Sequence, residues 1–272
     1  MCFYKPQTRS IINEYFRRQG KQLTRQPNLP NNHVKVSIIV PAYNEEENIT
    51  KILRMLMDVE QVLPSMEIIV IDDGSTDGTP EEVAKFSSRV KLLKHEKNCG
   101  KGAALASGFD EATGEVVVVQ DADLEYSPYD IPKLVKPILG GEADVVFGSR
   151  FKGSRNGMKF TNYVGNKLLS ATTMLLYGTP ITDVMTGHKV FAKRVIKSMD
   201  LTEDGFKIEP EIAAEVFRGG WRYAEVPIAY TRRKRGKSKF RFYKDGVTCF
   251  LRLVRARVYK RTLYTPKDTK KA

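Results

Sequence analysis

Four consecutive valines, Val116–Val119, lead through Gln120 into Asp121 and Asp123, and Glu125 stands two residues further on. Isolated charges at the edge of a core are costly, so carboxylates grouped there have a cation or a partner to meet. In an extended segment residues two apart point to the same side. Asp121 and Asp123 are therefore expected to aim both carboxylates at one point beyond the strand. Paired carboxylate oxygens suit a hard divalent cation, magnesium or manganese, which keeps coordination places free for phosphate. Such an ion would neutralise a diphosphate.

Two other strand ends carry related residues. Pro41-Ala42-Tyr43-Asn44-Glu45 follows the apolar run Val36–Val40, and Asp72-Asp73-Gly74-Ser75 follows Glu67–Ile71. Further strands are expected at Val90–Lys94, Val116–Gln120 and Ala143–Gly148. Helices fall between them, over about residues 45–58, from Thr79, over Gly102–Glu111 and over Ile131–Leu139. The helix from Thr79 has the signature of a capping box, with Thr79 as cap, Pro80 first and Glu82 third. Continuous β-branched runs alternating with helices mean a mostly parallel sheet covered on both faces. The fold class is an open α/β sandwich with ligands at the carboxyl ends of the strands. After Arg150 the pattern loosens into a helix over 162–177, a strand and helix over 189–199, a helix over 208–218 and a strand over 223–228.

The 272 residues are enough for one large domain or two small ones. No apolar run approaches the roughly 20 residues of a membrane-spanning helix, and the first residues, MCFYKPQTRS, lack the apolar stretch of a secretory signal. Cys2, Cys99 and Cys249 are odd in number and far apart, which reads as free thiols in a reducing, cytoplasmic compartment. Residues 1–32 look like an extension and linker, 33–230 the globular body, and 231–272 a basic tail. The net charge of +13 is concentrated: the tail holds 16 Lys/Arg and 2 Asp, leaving the body near neutral. That distribution points to an attached anion-seeking module. Within the tail, a helix over about 244–259 places Val247, Phe250, Leu251, Val254 and Val258 on one face, with Arg252, Arg255 and Lys260 elsewhere. It reads either as a last core helix or as a basic amphipathic helix on an anionic membrane surface, and both can hold.

Some classes are disfavoured. Leu105 stands where a dinucleotide fingerprint after Gly100-x-Gly102 needs a third glycine, and no GxxxxGK[ST] phosphate loop exists. A nucleic-acid binder would use the basic tail but leaves the acidic strand ends unexplained, so nucleic acid is not an expected partner.

The segments VSIIVPAYNEEENI, EIIVIDDGSTDGT, GKGAALASGFDEATGEVVVVQDADLE and DVVFGSRF, in this order and spacing, closely resemble the family 2 glycosyltransferases with the GT-A fold. ITDVMTGHKVF, GFKIEPEIAAE and RRKRGKSKF resemble the polyprenyl-phosphate branch of that family, the dolichol-phosphate mannose and polyprenyl-phosphate glucose synthases. The resemblance spans roughly residues 34–255. It implies that Pro41, Tyr43, Glu45, Asp72 and Asp73 line a base and ribose pocket, with Lys101 near the nucleotide. Gln120, Asp121 and Asp123 would hold sugar nucleotide and metal. The resemblance extends the metal set to Glu125, although many dolichol-phosphate mannose synthases have Gln at that position two residues after the DxD, a departure that bears on its part in metal binding. Arg150 would contact donor or acceptor phosphate, and Glu209 or Glu211 would orient a sugar hydroxyl or assist proton removal.

The implied activity is inverting transfer of a hexose from a nucleoside-diphosphate sugar, GDP-mannose or UDP-glucose, to a polyprenyl or dolichyl phosphate; a soluble sugar or protein acceptor is the alternative. An acceptor phosphate is already anionic, its second pKa being about 6, so a cationic cradle matters more than a base. Arg232, Arg233, Lys237 and Lys239 around Gly236 and Ser238 fit that need. Relatives often carry C-terminal membrane spans, and this sequence shows none. The expectation is a peripheral enzyme, held by the basic helix and its lipid substrate or by a membrane-anchoring partner.

Overall fold

The computed structural model describes residues 34–63, 65–233 and 242–258. Seven strands form one sheet in the order β3-β2-β1-β4-β6-β5-β7. They are β1 (Val36–Ala42), β2 (Met66–Asp72), β3 (Val90–Lys94), β4 (Val116–Val119), β5 (Val145–Asn156), β6 (Lys189–Ala192) and β7 (Tyr223–Thr231). Only β6 runs antiparallel, between β4 and β5. The chain steps outward from β1 through β2 to β3, then returns to β4 on the other side of β1. The crevice therefore opens where the order reverses, between β1 and β4, as open α/β sheets require of their ligand sites.

Helices cover both faces: α1 (Glu46–Val59), α2 (Thr79–Ala84), α3 (Lys101–Glu111), α4 (Ile131–Leu139), α5 (Phe160–Tyr177), α6 (Lys193–Ile196), α7 (Ile208–Arg218) and α8 (Phe242–Val258). One core lies between the sheet and α1 and α4, built on Ile38, Val40, Ile52, Leu53, Val70 and Val118. The opposite core joins Ile39, Ile69, Val117, Phe147 and Phe191 to α3, α7 and α8. Successive residues of β1 and β4 thus feed opposite cores, which is why these strands read as unbroken apolar runs.

Three local expectations are corrected. The cap of α2 is Gly78, not Thr79. Asp77 accepts the Thr79 N–H at 3.0 Å, while the Thr79 hydroxyl oxygen accepts the Glu45 N–H at 2.8 Å. Glu82 bonds Thr50 and Lys85 instead of closing a box. The fifth strand runs on past Gly148 to Asn156, with a register break between Ser149 and Ser154. Finally, α8 buries Cys249, Leu253 and Ala256, whereas Val247, Phe250, Leu251 and Val258 face outward. Its seat on the body is the narrow strip of small or single apolar residues, and the wider apolar stripe is left exposed.

Candidate active site

The carboxyl ends of β2, β1 and β4 lie side by side, with Ala42 opposite Asp72 and the Gln120 N–H bonded to the Ile39 carbonyl at 2.9 Å. Asn44, at φ 51°, turns the chain after β1. Its N–H reaches Ser75 Oγ at 2.9 Å, and its side-chain oxygen accepts the Thr76 N–H at 2.8 Å, tying the first two strand ends together. Asp72 is buried and accepts the Ser75 N–H at 3.2 Å. Pro41 and Tyr43 are half-buried beside it. Asp73 turns the other way. Its carboxylate holds the N–H groups of Cys99 and Gly100, at 2.9 and 2.8 Å, and His95 Nδ1 at 2.7 Å. It braces the loop that launches α3 rather than facing the crevice. Asp73, His95 and Cys99 are also the described residues whose ligand-type atoms cluster in a group of three, within 4.8 Å; their mutual bonds account for them.

The Asp121–Glu125 segment is a turn, not an extension. Gln120 is fully buried and its amide nitrogen donates to the Asp121 and Tyr126 carbonyls, at 3.0 and 3.1 Å. Leu124 takes the left-handed region at φ 62°, and the Glu125 N–H returns to Asp123 Oδ1 at 3.0 Å. The reversal places Asp121, Asp123 and Glu125 on the wall of one cavity of about 1020 Å3. Gly187 allows this closeness: a Cβ there would stand 2.0 Å from Asp121 Oδ2.

Each acidic group meets a cation. Lys101 Nζ lies 2.6 Å from Asp121 Oδ1 and 2.8 Å from Glu209 Oε1. Burial alone would lower the Lys101 pKa, but the Asp121 and Glu209 carboxylates overcome it and hold it raised. Lys189, itself buried, bonds Glu209 and the Thr186 carbonyl. Burial and the Lys101 charge lower its pKa against the opposing pull of Glu209. Arg233 contacts Asp123 and lies 3.6 Å from Glu45 and 3.7 Å from Glu125. Burial and the Asp123 charge raise the Glu125 pKa, and Arg233 works against them.

Arg150 sits at the register break of β5, which turns its side chain into the cavity. Its Nε and Nη2 grip Asp183 at 2.7 and 2.6 Å, and its guanidinium lies 5.6–5.9 Å from the rings of Tyr230, Tyr126 and Phe151. It is a buried, clasped cation and not a surface ion pair. Arg232 and Arg233 line the same cavity; Lys237 and Lys239 lie outside the described residues.

Glu211 does not belong to the site. It is fully buried and accepts the Thr202 and Glu203 N–H groups, at 3.1 and 2.9 Å, and bonds Arg252 of α8. Its work is to fasten α8 to the body. Glu209, two residues earlier on the same helix, is the one that reaches the cavity. Arg252 accordingly points inward to Glu203 and Glu211 rather than to solvent.

Sequence reasoning passed over Asp183, Gly187, Lys189, Tyr126 and Tyr230. Lys189 did carry a signal, since a lysine opening the apolar strand KVFA must have a partner if that strand is buried. Asp183 and Gly187 carried none, because their partners lie 33 and 66 positions away.

A family model described as "Glycosyl transferase family 2" matches residues 37–199. The chain is 35% identical over 218 residues to "Dolichol-phosphate mannosyltransferase" of Pyrococcus furiosus, covering 76% of this chain and 60% of the relative's length. It is 30% identical over 214 residues to "Polyprenol monophosphomannose synthase" of Mycolicibacterium smegmatis, covering 74% of this chain and 79% of the relative. Among solved structures, glucosyl-3-phosphoglycerate synthase from Mycobacterium tuberculosis, crystallised with Mn2+, UDP and phosphoglyceric acid, superposes with a TM-score of 0.71. It covers 88% of this chain and 84% of the other at 22% identity, a likeness of fold. The reversed strand order, the acidic turn after β4 and these matches agree: the chain belongs to glycosyl transferase family 2, with the GT-A fold.

Proposed function

We propose that this chain is an inverting hexosyltransferase that moves a sugar from a nucleoside diphosphate to a polyprenyl or dolichyl monophosphate at the cytoplasmic face of a membrane. One observation carries the lipid part: the cavity is continuous with an exposed apolar surface. Leu168, Val247 and Phe250 line the cavity, yet are 65%, 61% and 41% exposed. Phe160, Val164 and Leu175 continue the surface along α5, and Leu251 and Val258 along α8. The two helices pack against each other. An exposed apolar surface of this kind marks an interaction site, and here it adjoins the cations that suit a phosphate. A prenyl chain lying against α5 and α8 would deliver its head group inward. The names of the two relatives support the same reading. A soluble phosphorylated acceptor would meet the same cations but leaves the apolar surface unexplained.

The residues fit a divalent cation. Asp121 and Asp123 offer the hard oxygen ligands that magnesium or manganese takes, with Glu125 at the rim. When bound, the ion supplies charge stabilisation to the departing diphosphate. The rest is the chain's own work. Pro41, Tyr43, Glu45 and Asp72, gathered at the ends of β1 and β2, form the side where base and ribose rest. Gln120 and Asp73 hold the two loops in place from behind. Arg150, kept in position by Asp183, and Arg232 orient the acceptor phosphate so that its oxygen attacks the anomeric carbon opposite the leaving group. That oxygen is already anionic, so no residue need remove a proton. Glu209, steadied by Lys101 and Lys189, is placed to accept a bond from a sugar hydroxyl.

Residues 33–230, with Arg232 and Arg233 just beyond them, would hold the reaction, and the rest of the part from 231 onward the membrane. None of the described helices is long and apolar enough to cross a membrane, and the exposed faces of α5 and α8 would lie on an anionic surface, with or without an anchoring partner. The test is transfer of label from GDP-mannose or UDP-glucose, with Mn2+ or Mg2+, to dolichyl phosphate in vesicles. An organic-extractable, acid-labile product is expected. Labelling of water-soluble phosphorylated acceptors with no lipid product would overturn the acceptor assignment. Leu168→Asp combined with Phe250→Asp should weaken vesicle association by about tenfold or more, from the lost apolar burial.

A further inference from the structure

Arg150 and Arg233 reach the same cavity in contrasting ways. Arg150 places two nitrogens on one carboxylate, at 2.7 and 2.6 Å. Arg233 is spread over three carboxylates: it bonds Asp123 with one nitrogen, stands 3.6 Å from Glu45 and 3.7 Å from Glu125, and its buried Nε has no hydrogen-bond partner among the described residues. It is held by the summed negative charge and not by a fitted clasp. Its side chain is only 15% exposed, so it fills the place between these acids rather than hovering over them. Lys101 differs again, because Glu209 as well as Asp121 anchors it. Of the two cations on the aspartate pair, Arg233 is the one free to leave.

We propose that Arg233 is an internal counter-ion that makes divalent-cation binding conditional on a diphosphate. The inference rests on the reading that such a cation and a nucleoside diphosphate meet at Asp121 and Asp123. In the absence of diphosphate, Arg233 neutralises Asp123, Glu45 and Glu125, and an entering cation must either share their oxygens with a guanidinium a few ångströms away or expel it from the carboxylates that hold it. The repulsion between a divalent ion and an unscreened guanidinium at such range makes the first course unfavourable. A diphosphate removes the conflict. Its oxygens accept Arg233 as it leaves Asp123, since guanidinium binds phosphate as readily as carboxylate, and the vacated oxygens then ligate the cation. Metal and diphosphate consequently bind cooperatively, and by linkage each tightens the other by the same factor.

The experiment is Mn2+ titration of the full chain, followed by the electron paramagnetic resonance signal of free Mn2+, with and without GDP or UDP. For the wild type, weak binding of Mn2+ alone is expected, tightened by the diphosphate by about tenfold or more. Arg233→Gln should bind Mn2+ alone about tenfold better than wild type, with a correspondingly smaller effect of diphosphate; Arg233→Lys, which keeps the charge, should behave as wild type. Equal Mn2+ affinity in wild type and Arg233→Gln, or an undiminished diphosphate effect in the variant, would overturn the proposal while leaving the reading of the site intact. Failure of every form to bind Mn2+ even with GDP and UDP would sink that reading and the proposal with it. Should Arg233→Gln prove unstable without metal, thermal unfolding decides: Mn2+ alone must raise its Tm more than that of the wild type, and an equal rise refutes the proposal.

Discussion

Asp183→Asn removes the negative charge from the buried Arg150–Asp183 pair. Asp183 is fully buried, and its two oxygens accept three bonds from Arg150, from the backbone N–H at 3.0 Å, Nε at 2.7 Å and Nη2 at 2.6 Å. An amide in its place offers one acceptor oxygen and turns an N–H group toward the guanidinium. Arginine cannot escape by losing its proton. Breaking a buried pair from one side costs about 3–5 kcal/mol. Because Arg150 borders the cavity, water reaches it from that side, and we place the loss near the lower limit, about 3 kcal/mol. For a chain of this size each kcal/mol moves Tm by about 2–4 °C, so a fall of roughly 6–12 °C is expected. Thermal and urea unfolding measure it. The companion Arg150→Met/Asp183→Asn removes both charges and should recover more than half of the loss, since the pair then leaves no unmet charge. In the transfer assay Asp183→Asn should raise the acceptor KM more than the donor KM. A loss below about 1 kcal/mol, or a double variant no more stable than the single one, would refute the clasp.

Gly187→Ala should drive Asp121 away from Lys101, because the new Cβ would sit 2.0 Å from a carboxylate oxygen; Mn2+ affinity in the presence of GDP or UDP should fall about tenfold, while Tm moves little because the atom displaced ends a flexible side chain. Asp123→Ala should lower metal-dependent transfer by about a hundredfold or more, with the residual rate insensitive to EDTA. His188 is fully buried with no bond to either ring nitrogen among the described residues, and burial pushes its pKa down to about 4, Asp130 and Lys133 acting as smaller opposed influences. The unfolded ring titrates near 6.5, so the stability tied to its neutral form is complete above about pH 6.5 and falls away as the pH drops toward 4, by up to about 3 kcal/mol. Urea unfolding across that window should show the slope in the wild type and a flatter profile in His188→Leu.

Periodicity carried most of the architecture. The apolar runs that begin at Val36, Ile68 and Val116 are buried on both faces, and only a strand between two helical layers does that. The acidic strand ends were equally plain, because charges that close an apolar run stand out. What misled was local idealisation. Two-residue spacing at Asp121 and Asp123 suggested an extended segment, whereas Leu124 at φ 62° folds it back. Thr79 resembled a cap, but its hydroxyl serves Glu45 from another loop. In α8 the long apolar stripe read either as a packing face or as a membrane-facing one; it is left exposed, and the helix docks through Cys249, Leu253 and Ala256, with Arg252 drawn in by Glu203 and Glu211.

The sequence by itself determined the sheet, its helical cover and the acids and bases that could meet, since these depend on period and residue type along short stretches. Pairing of charge was decided only in three dimensions. Glu209 and Glu211 are two residues apart on one helix and chemically identical, yet one faces the cavity between two lysines and the other locks a helix in place. Which carboxylate meets which cation depends on contacts between residues tens of positions apart, and Coulomb attraction acts through space without regard to order along the chain.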